Sequence, residues 1–358
     1  MTSEIRKPVV LGILLGCFLA LVLSPPIASA SGSVAILWTK LVNGSLALYR
    51  SDYRSLSTPR ILYGHNVGYL CVVPSPEGDQ IAAQIVPSGP PAVYFVCSPG
   101  LRRAIRISTD EGYRFLSEWS RDGSGLLIGL SSTEVNPDGV YVGVYAVGSA
   151  NKRTLVSRPA TGRLLPPSYA RYSRDRTRLL ILSDQWLQVV DAESQKNLLF
   201  LQYDSQEIRS SPVWLDDDTF VFSCRDSIWR GSISRGKAGP WILRNSIKSL
   251  VYASKDNQLF ALAETPDKQN GLFLAIDPKT GQYRRIALPG LESVLELFGV
   301  TSDGNLALVL ARDPKHVSPS SGKPSTYGIW LVDLHAGEHK LVAEGSIEAA
   351  LIESTQAK

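Results

Sequence analysis

Residues 299–311 read GVTSDGNLALVLA. Here a short apolar run enters the turn Thr301-Ser302-Asp303-Gly304, and a strongly apolar run leaves it. Ser, Thr and Asp side chains bond backbone groups inside tight turns, and Gly or Asn tolerates positive φ, so the stretch predicts two strands joined by a tight turn. The pattern recurs as VVPSPEGDQIAAQI from Val72, EWSRDGSGLLIGL from Glu118, RYSRDRTRLLILS from Arg171, VWLDDDTFVFS from Val213 and YASKDNQLFALA from Tyr252. Aligned on Ser75, Ser120, Ser173, Leu215, Ser254 and Thr301, the copies lie 45, 53, 42, 39 and 47 residues apart. That period suits the four-stranded blade of a β-propeller.

Each copy is followed by a second hairpin, clearest in GLFLAIDPKTGQYRRIAL from Gly271 and YGIWLVDLHAGEHKLVA from Tyr327. A unit therefore has strands A to D, with the Ser-x-Asp-Gly turn between A and B. Ahead of the first full copy, VAILWTK (34–40), SLALYRSD (45–52) and TPRILYG (58–64) supply B, C and D strands without an A. After the last, SIEAALIEST (346–355) supplies an A strand with nothing behind it. Pairing the two ends completes a seventh blade and hides two sheet edges. The expected fold is thus an all-β propeller of seven four-stranded blades over residues 31–358; six blades with a loose N-terminal extension is the alternative.

The repeat resembles the WD40-like repeat of the TolB family of β-propellers, on the residues quoted above and over nearly all of 33–355. The resemblance implies a propeller and a class of behaviour, docking of protein partners in the cell envelope. Two departures stand out: the family has an α/β domain before its propeller and six blades, and this chain enters a strand soon after its N-terminal segment.

That segment carries Arg6 and Lys7, then the apolar run 9–23, a break at Ser24-Pro25-Pro26, and Ala28-Ser29-Ala30. Charged start, apolar middle and A-x-A end predict a secretory signal peptide over 1–30, cleaved after Ala30, with Ala28 and Ala30 as the peptidase site. A secreted or periplasmic location follows. The alternative is an uncleaved membrane anchor through residues 9–23, shorter than the ~20 apolar residues of an ordinary span. Cys17 sits in a run resembling a lipobox, but more apolar residues follow it where a polar tether is usual.

Composition excludes several classes. Of the 358 residues, 44% are hydrophobic, ample for a core, and 37 basic residues face 33 acidic ones. That balance speaks against nucleic-acid binding, which clusters its basic residues. Cys71, Cys97 and Cys224 form neither a disulfide framework nor a zinc pattern and are expected as small buried hydrophobes. There is no nucleophile elbow, phosphate loop or dinucleotide fingerprint. His335 and His339 are expected around a C–D turn rather than as metal ligands. Asp216-Asp217-Asp218 is expected as a solvated A–B turn, with Asp217 in the repeat's Asp position. Trp119 and Trp214 occupy the same repeat position, so packing between blades is expected of them. Asn43-Gly44-Ser45 fits a glycosylation acceptor, a pattern frequent by chance.

Binding is then expected on the face built from D–A and B–C loops, in segments 86–91, 131–139, 158–169, 264–270 and 312–327. Arg158, Arg163, Tyr169, Lys315 and His316 are the candidate partner-binding residues. The leading functional expectation is a monomeric, non-catalytic binding scaffold with no cofactor or metal, whose partner is another protein or envelope component. The alternative is a metal-dependent, lactonase- or lyase-like propeller enzyme acting on a small molecule or glycan at the channel. It would need ligands converging from A strands, whose early residues Tyr69, Phe115, Tyr169, Leu250, Val294 and Glu348 are largely not a metal set.

Overall fold

The B strands of the repeat are apolar at nearly every position, which requires both of their faces to be covered. The computed structural model shows what covers them. It describes residues 34–353 except 43–44, 57–59, 66–68, 76–79, 87–92, 98–104, 108–112, 121, 131–141, 147–152, 158–167, 204–206, 244–245, 266–270 and 318–326. Residues 1–30, where a signal peptide is expected, and Asn43 lie outside the described residues. Among those described, no helix is long and apolar enough to cross a membrane.

The described strands form seven four-stranded antiparallel sheets. Blade 1 joins both ends of the chain: β28 (Ser346–Glu353) pairs with β1 (Val34–Val42), followed by β2 (Ser45–Asp52) and β3 (Arg60–His65). Blade 2 is β4 (Tyr69–Pro74), β5 (Ile81–Val86), β6 (Val93–Cys97) and β7 (Ile105–Ile107). Blade 3 is β8 (Tyr113–Trp119), β9 (Gly125–Leu130), β10 (Val142–Ala146) and β11 (Arg153–Ser157). Blade 4 is β12 (Tyr169–Tyr172), β13 (Arg178–Leu182), β14 (Trp186–Asp191) and β15 (Asn197–Gln202). Blade 5 is β16 (Val213–Trp214), β17 (Thr219–Cys224), β18 (Ser227–Ser232) and β19 (Lys237–Leu243). Blade 6 is β20 (Ile247–Ala253), β21 (Gln258–Glu264), β22 (Gly271–Ile276) and β23 (Tyr283–Arg285). Blade 7 is β24 (Glu292–Val300), β25 (Leu306–Arg312), β26 (Gly328–Asp333) and β27 (His339–Glu344). The expected seven blades, closed by the C-terminal A strand on the N-terminal B strand, are present, with Ala35 opposite Ile352 and Trp38 opposite Ala349.

Alternation along each B strand sends successive side chains to different neighbours. In β25, Leu306 and Leu308 pack with Ile36 and Trp38 of blade 1. Ala307 and Val309 turn the other way, against Phe260 and Phe273 of blade 6. Likewise Phe220 and Phe222 of β17 join the blade 4 cluster with Leu180, whereas Val221 joins Leu259 and Ala261 of blade 6. Two opposite faces are buried by period-2 geometry alone, so a continuous apolar run is the required pattern. Cys224 belongs to this core, and burial pushes the pKa of its thiol up to about 11. The Cys71 and Cys97 side chains lie outside the described ones.

The signature turns are built as their residues predict. Ser120 Oγ accepts from the Gly125 amide (2.9 Å) and donates to Asp122 Oδ1 (2.7 Å), which also accepts from the Ser124 amide (3.1 Å). Ser173 with Asp175 and Thr301 with Asp303 repeat the arrangement. Asp122 is drawn down to about 2 by the Ser120 and Ser124 hydroxyls. The blade 5 turn corrects the sequence alignment. There Asp216, not Asp217, caps the turn, its Oδ1 accepting from the Asp218 (2.8 Å) and Thr219 (2.6 Å) amides. This turn is one residue shorter: Leu215 N donates to Thr219 O, four residues on, where Ser120 N reaches Gly125 O, five on.

The C–D turns carry a second device. Asp191, Asp277 and Asp333 each accept from amides two and three residues on, and each carbonyl accepts from the amide four on. That fourth residue is left-handed: Gln195 (φ 59), Gly281 (φ 77) and Gly337 (φ 69).

Hydrogen bonds between blades run around this A–B face. Trp119 Nε1 donates to Val73 O of blade 2 (3.0 Å), and Trp214 Nε1 donates to Arg171 O of blade 4 (3.2 Å), so the expected packing role of this position is met. The Tyr172 amide donates to Glu118 of blade 3, whose carboxyl burial pushes upward in pKa. Arg176 Nη1 reaches Trp119 O (2.5 Å) and Ser120 O (2.9 Å). Between blades 7 and 1, the Ser302 amide donates to both oxygens of Glu353 (3.0 Å each).

Two outcomes follow. Truncation after Gly345 removes β28 and exposes the β1 edge, and the shortened chain is expected to lose its cooperative unfolding transition, read by circular dichroism during urea titration. Gln195 and Arg176 are both non-glycine residues in the left-handed region (φ 59 and 58). Gln195→Gly is expected to stabilise by about 0.5–1 kcal/mol, since only backbone strain is relieved. Arg176→Gly is expected to destabilise by about 1–2 kcal/mol, because it also deletes two charge-assisted bonds to blade 3. Equal shifts for the two variants in the same denaturation assay contradict this account.

Candidate functional site

A strands converge on the central channel, and their residues from blades 4 to 7 line a cavity of about 310 Å³ that includes Arg171, Trp214, Tyr252 and Phe298. The channel opens on two faces. The A–B and C–D turns rim one; the D–A and B–C loops rim the other, where binding is expected.

On that second face a polar cluster spans blades 4 to 7. Glu264, the last residue of β21, is its hub. Lys248 Nζ lies 3.0 Å from Glu264 Oε1, Arg209 Nη1 lies 3.9 Å from Oε2, and the Ser246 hydroxyl donates to Oε2. Arg209 Nη1 also donates to Ser246 Oγ, and Nη2 pairs with Glu207 at 3.0 Å. The Ser246 hydroxyl, then Lys248, hold the Glu264 carboxyl below its ordinary pKa. Arg209 is carried by backbone pairing next to blade 5, its amide bonding Ser223 O at 3.2 Å. Ser246 sits at φ 55, immediately ahead of β20.

Deeper in the wall, Glu296 of β24 is half-buried and accepts a hydrogen bond from Ser249 Oγ of β20 (3.1 Å). Burial raises its pKa despite that bond and despite Lys248. Tyr169, the first residue of β12, is also half-buried. Its phenol is raised first by burial and then by the charges of Asp184 and Glu296, which belong to blades 4 and 7. The Asp184 carboxylate accepts from the Ile208 amide at 3.3 Å, linking blades 4 and 5. This cluster thus sets Arg209 and Lys248 among the carboxylates of Asp184, Glu207, Glu264 and Glu296. Among the described residues, no group of three or more His, Cys, Asp and Glu side chains is placed to hold a metal ion.

The sequence-predicted residues distribute unevenly. Tyr169 is part of the mouth. Arg158 and Arg163 lie outside the described residues, as do most of segments 86–91, 131–139 and 264–270 and part of 312–327. Lys315 is exposed in the turn after β25, its amide bonding Asp313 Oδ1 at 2.8 Å. His316 is half-buried, with Nε2 2.7 Å from Glu344 Oε1. Its ring stands edge-on to Trp330 (5.5 Å, 87°), and His339 does the same from β27 (5.1 Å, 74°) while lying 3.4 Å from Asp313. His335 is exposed in its C–D turn, apart from this pair. The Asp216–Asp218 run is spent on its own turns, Asp218 accepting from Ser232 Oγ (2.6 Å) and the Ser234 amide (2.7 Å).

No protein-family model matches this sequence, and no curated protein matches it. Solved structures do. A putative 6-phosphogluconolactonase from Bacteroides uniformis aligns at 12% identity over 90% of this chain and 100% of that one, with a TM-score of 0.59. A prolyl endopeptidase aligns at 13% identity and TM-score 0.58, and TolB from Acinetobacter baumannii at 12% and 0.52, each over 90% of this chain. The chain spans about half of that endopeptidase (51%) and just under two thirds of that TolB (66%). At such identities the likeness is one of fold: this is a β-propeller.

The Glu296 environment gives a pH-dependent outcome. A carboxyl whose pKa is higher folded than unfolded binds more protons in the native state, so stability falls as pH rises from the unfolded carboxylate range through the folded value. Glu296→Gln is expected to raise Tm at pH 7, with the gain vanishing near pH 4. A gain that persists unchanged at pH 4, measured by differential scanning calorimetry, rules out ionisation as its origin.

Proposed function

We propose that this chain is an exported, TolB-like repeat propeller that acts as a non-catalytic binding scaffold, recognising a protein or other envelope component through its D–A and B–C face. The observation that carries the reading is the channel-mouth network. Arg209, Ser246, Lys248 and Glu264 come from two blades and hold one another in place, and Asp184 and Glu296 extend the same surface into blades 4 and 7. Preorganised charges on a rigid support favour specific recognition, because little side-chain entropy is lost when a partner docks. Tyr169 supplies an aromatic contact there, Lys315 and His316 follow β25 on the same face, and Arg158 and Arg163 are the further sequence candidates, outside the described residues. Export rests on the 1–30 segment, and its check is a mature N-terminus at Ser31 by mass spectrometry; an intact Met1 contradicts cleavage.

A second reading is favoured by Glu296. A half-buried carboxyl raised in pKa on a channel wall is the kind of group a lactonase- or lyase-like enzyme uses as a general acid. Its metal-dependent form is tested by thermal unfolding with and without EDTA, where a large shift argues against the pure scaffold.

For the scaffold, capture of partners from envelope extract is the direct measurement. Arg209→Glu and Lys248→Glu are each expected to reduce recovery of a specific partner at least about tenfold, since reversing a rim charge adds repulsion to the lost attraction. Arg235→Glu, on the opposite face, is expected to leave recovery unchanged. Equal loss in all three variants contradicts recognition by this mouth.

A further inference from the structure

The outer strands of blade 5 line a groove of about 400 Å³ on the A–B and C–D face. Arg230 of β18 is part of its wall and ties it to the C–D turn of blade 6. Arg230 Nη1 donates to Pro278 O of blade 6 (3.1 Å), and the guanidinium lies over the Trp241 ring, 5.1 Å from its centroid. Trp241 is itself pinned by the close approach of Gly281, where an added Cβ would stand 3.1 Å from the indole. Arg230 is therefore fixed in direction, and among the described residues it has no carboxylate partner within ion-pair distance. Arg235 and Lys237 stand exposed at the rim, also without a carboxylate partner among the described residues.

The groove's one lining carboxylate, Asp218, offsets only one of these three charges. Asp218 is bonded by Ser232 Oγ, Ser234 N and Ser234 Oγ at 2.6, 2.7 and 2.9 Å, and those bonds, against its burial, hold its pKa below the ordinary value. The space beside Arg230 is open by construction. Its cross-strand partner is Gly239, and a Cβ placed there meets nothing within 4 Å. A net positive groove with an immobilised guanidinium, an aromatic ring and serine hydroxyls has the chemistry of an anionic-sugar site. Its volume falls in the range of small-ligand pockets, roughly 300–1,000 Å³, well above that of a bare anion. An acidic peptide added as a strand is disfavoured, because Pro240 in the edge strand β19 has no N–H to offer.

We propose that this groove binds a sugar bearing a carboxylate or phosphate, held by Arg230 and steered by Arg235 and Lys237. The site is independent of the channel mouth. Calorimetric titration of the full chain distinguishes the sources: trigalacturonate supplies the carboxylate form, glucose 1-phosphate the phosphate form, and maltotriose, inorganic phosphate and hexaglutamate are the controls. Binding of trigalacturonate or glucose 1-phosphate is expected, at least about tenfold tighter than any control and weakened by salt. Arg230→Gln is expected to weaken it about tenfold or more. Gly239→Val keeps every charge and fills the open space; it is expected to weaken binding equally while near-ultraviolet circular dichroism stays native. Arg209→Glu is expected to leave it unchanged. The proposal is overturned if neither anionic sugar binds, if maltotriose or phosphate binds as tightly, if hexaglutamate binds more tightly, or if a folded Gly239→Val binds normally.

Discussion

Burial of the described B strands on both faces is the constraint from which the rest of this molecule follows. An isolated blade leaves both apolar faces of β13, β17, β21 or β25 in water, and no blade supplies its own cover. Each must be covered by the next, and a row of units that twist in one sense satisfies all of them only by closing. The division of labour is visible in β25, whose leucines serve blade 1 while Ala307 and Val309 receive the phenylalanines of blade 6. Within blade 5 the large side chain is given room by its cross-strand partner: Gly231 stands across from Phe220, and a Cβ there would come 2.2 Å from the ring.

The polar residues of the repeat serve this packing at one remove. A tight A–B turn brings the backbone amides of the turn under local control, with Ser or Thr and Asp satisfying them. Side chains just ahead of the turn are then free to reach sideways. Trp119 and Trp214 use that position to bond the neighbouring blade's backbone, and Glu118 receives an amide from blade 4. What reads along the chain as a turn motif is, around the ring, a seam.

Much of this was legible in the sequence because it is repeated. Six copies of one turn, spaced 39 to 53 residues apart, announce a blade, and the unmatched strands at 34–64 and 346–355 announce the closure. Errors came where one copy departed from the others: the short blade 5 turn shifts the capping role from Asp217 to Asp216, a change of one residue invisible without the hydrogen bonds. The channel mouth was harder still. Asp184, Arg209, Lys248, Glu264 and Glu296 occur once each, at no fixed spacing, and only the curvature of the ring gathers them. Tyr169 and the segment beginning at Glu264 were flagged by their place before or after a strand, which is where loops meet the channel. His316 shows the opposite case: its sequence places it in the 312–327 segment expected to bind a partner, whereas its own side chain is held by Glu344 and Trp330.

The pairing of β1 with β28 also sets a timetable. Strands β1 to β3 precede the other six blades along the chain, yet the inner neighbour of β1 follows all of them. Until that strand emerges, one edge of the earliest sheet stays open and the covering of Ile36 and Trp38 by blade 7 is missing. The ring therefore completes only after β28 has been delivered, and a chain threaded across a membrane from its N-terminus would remain unlocked, and extendable, until that strand arrives.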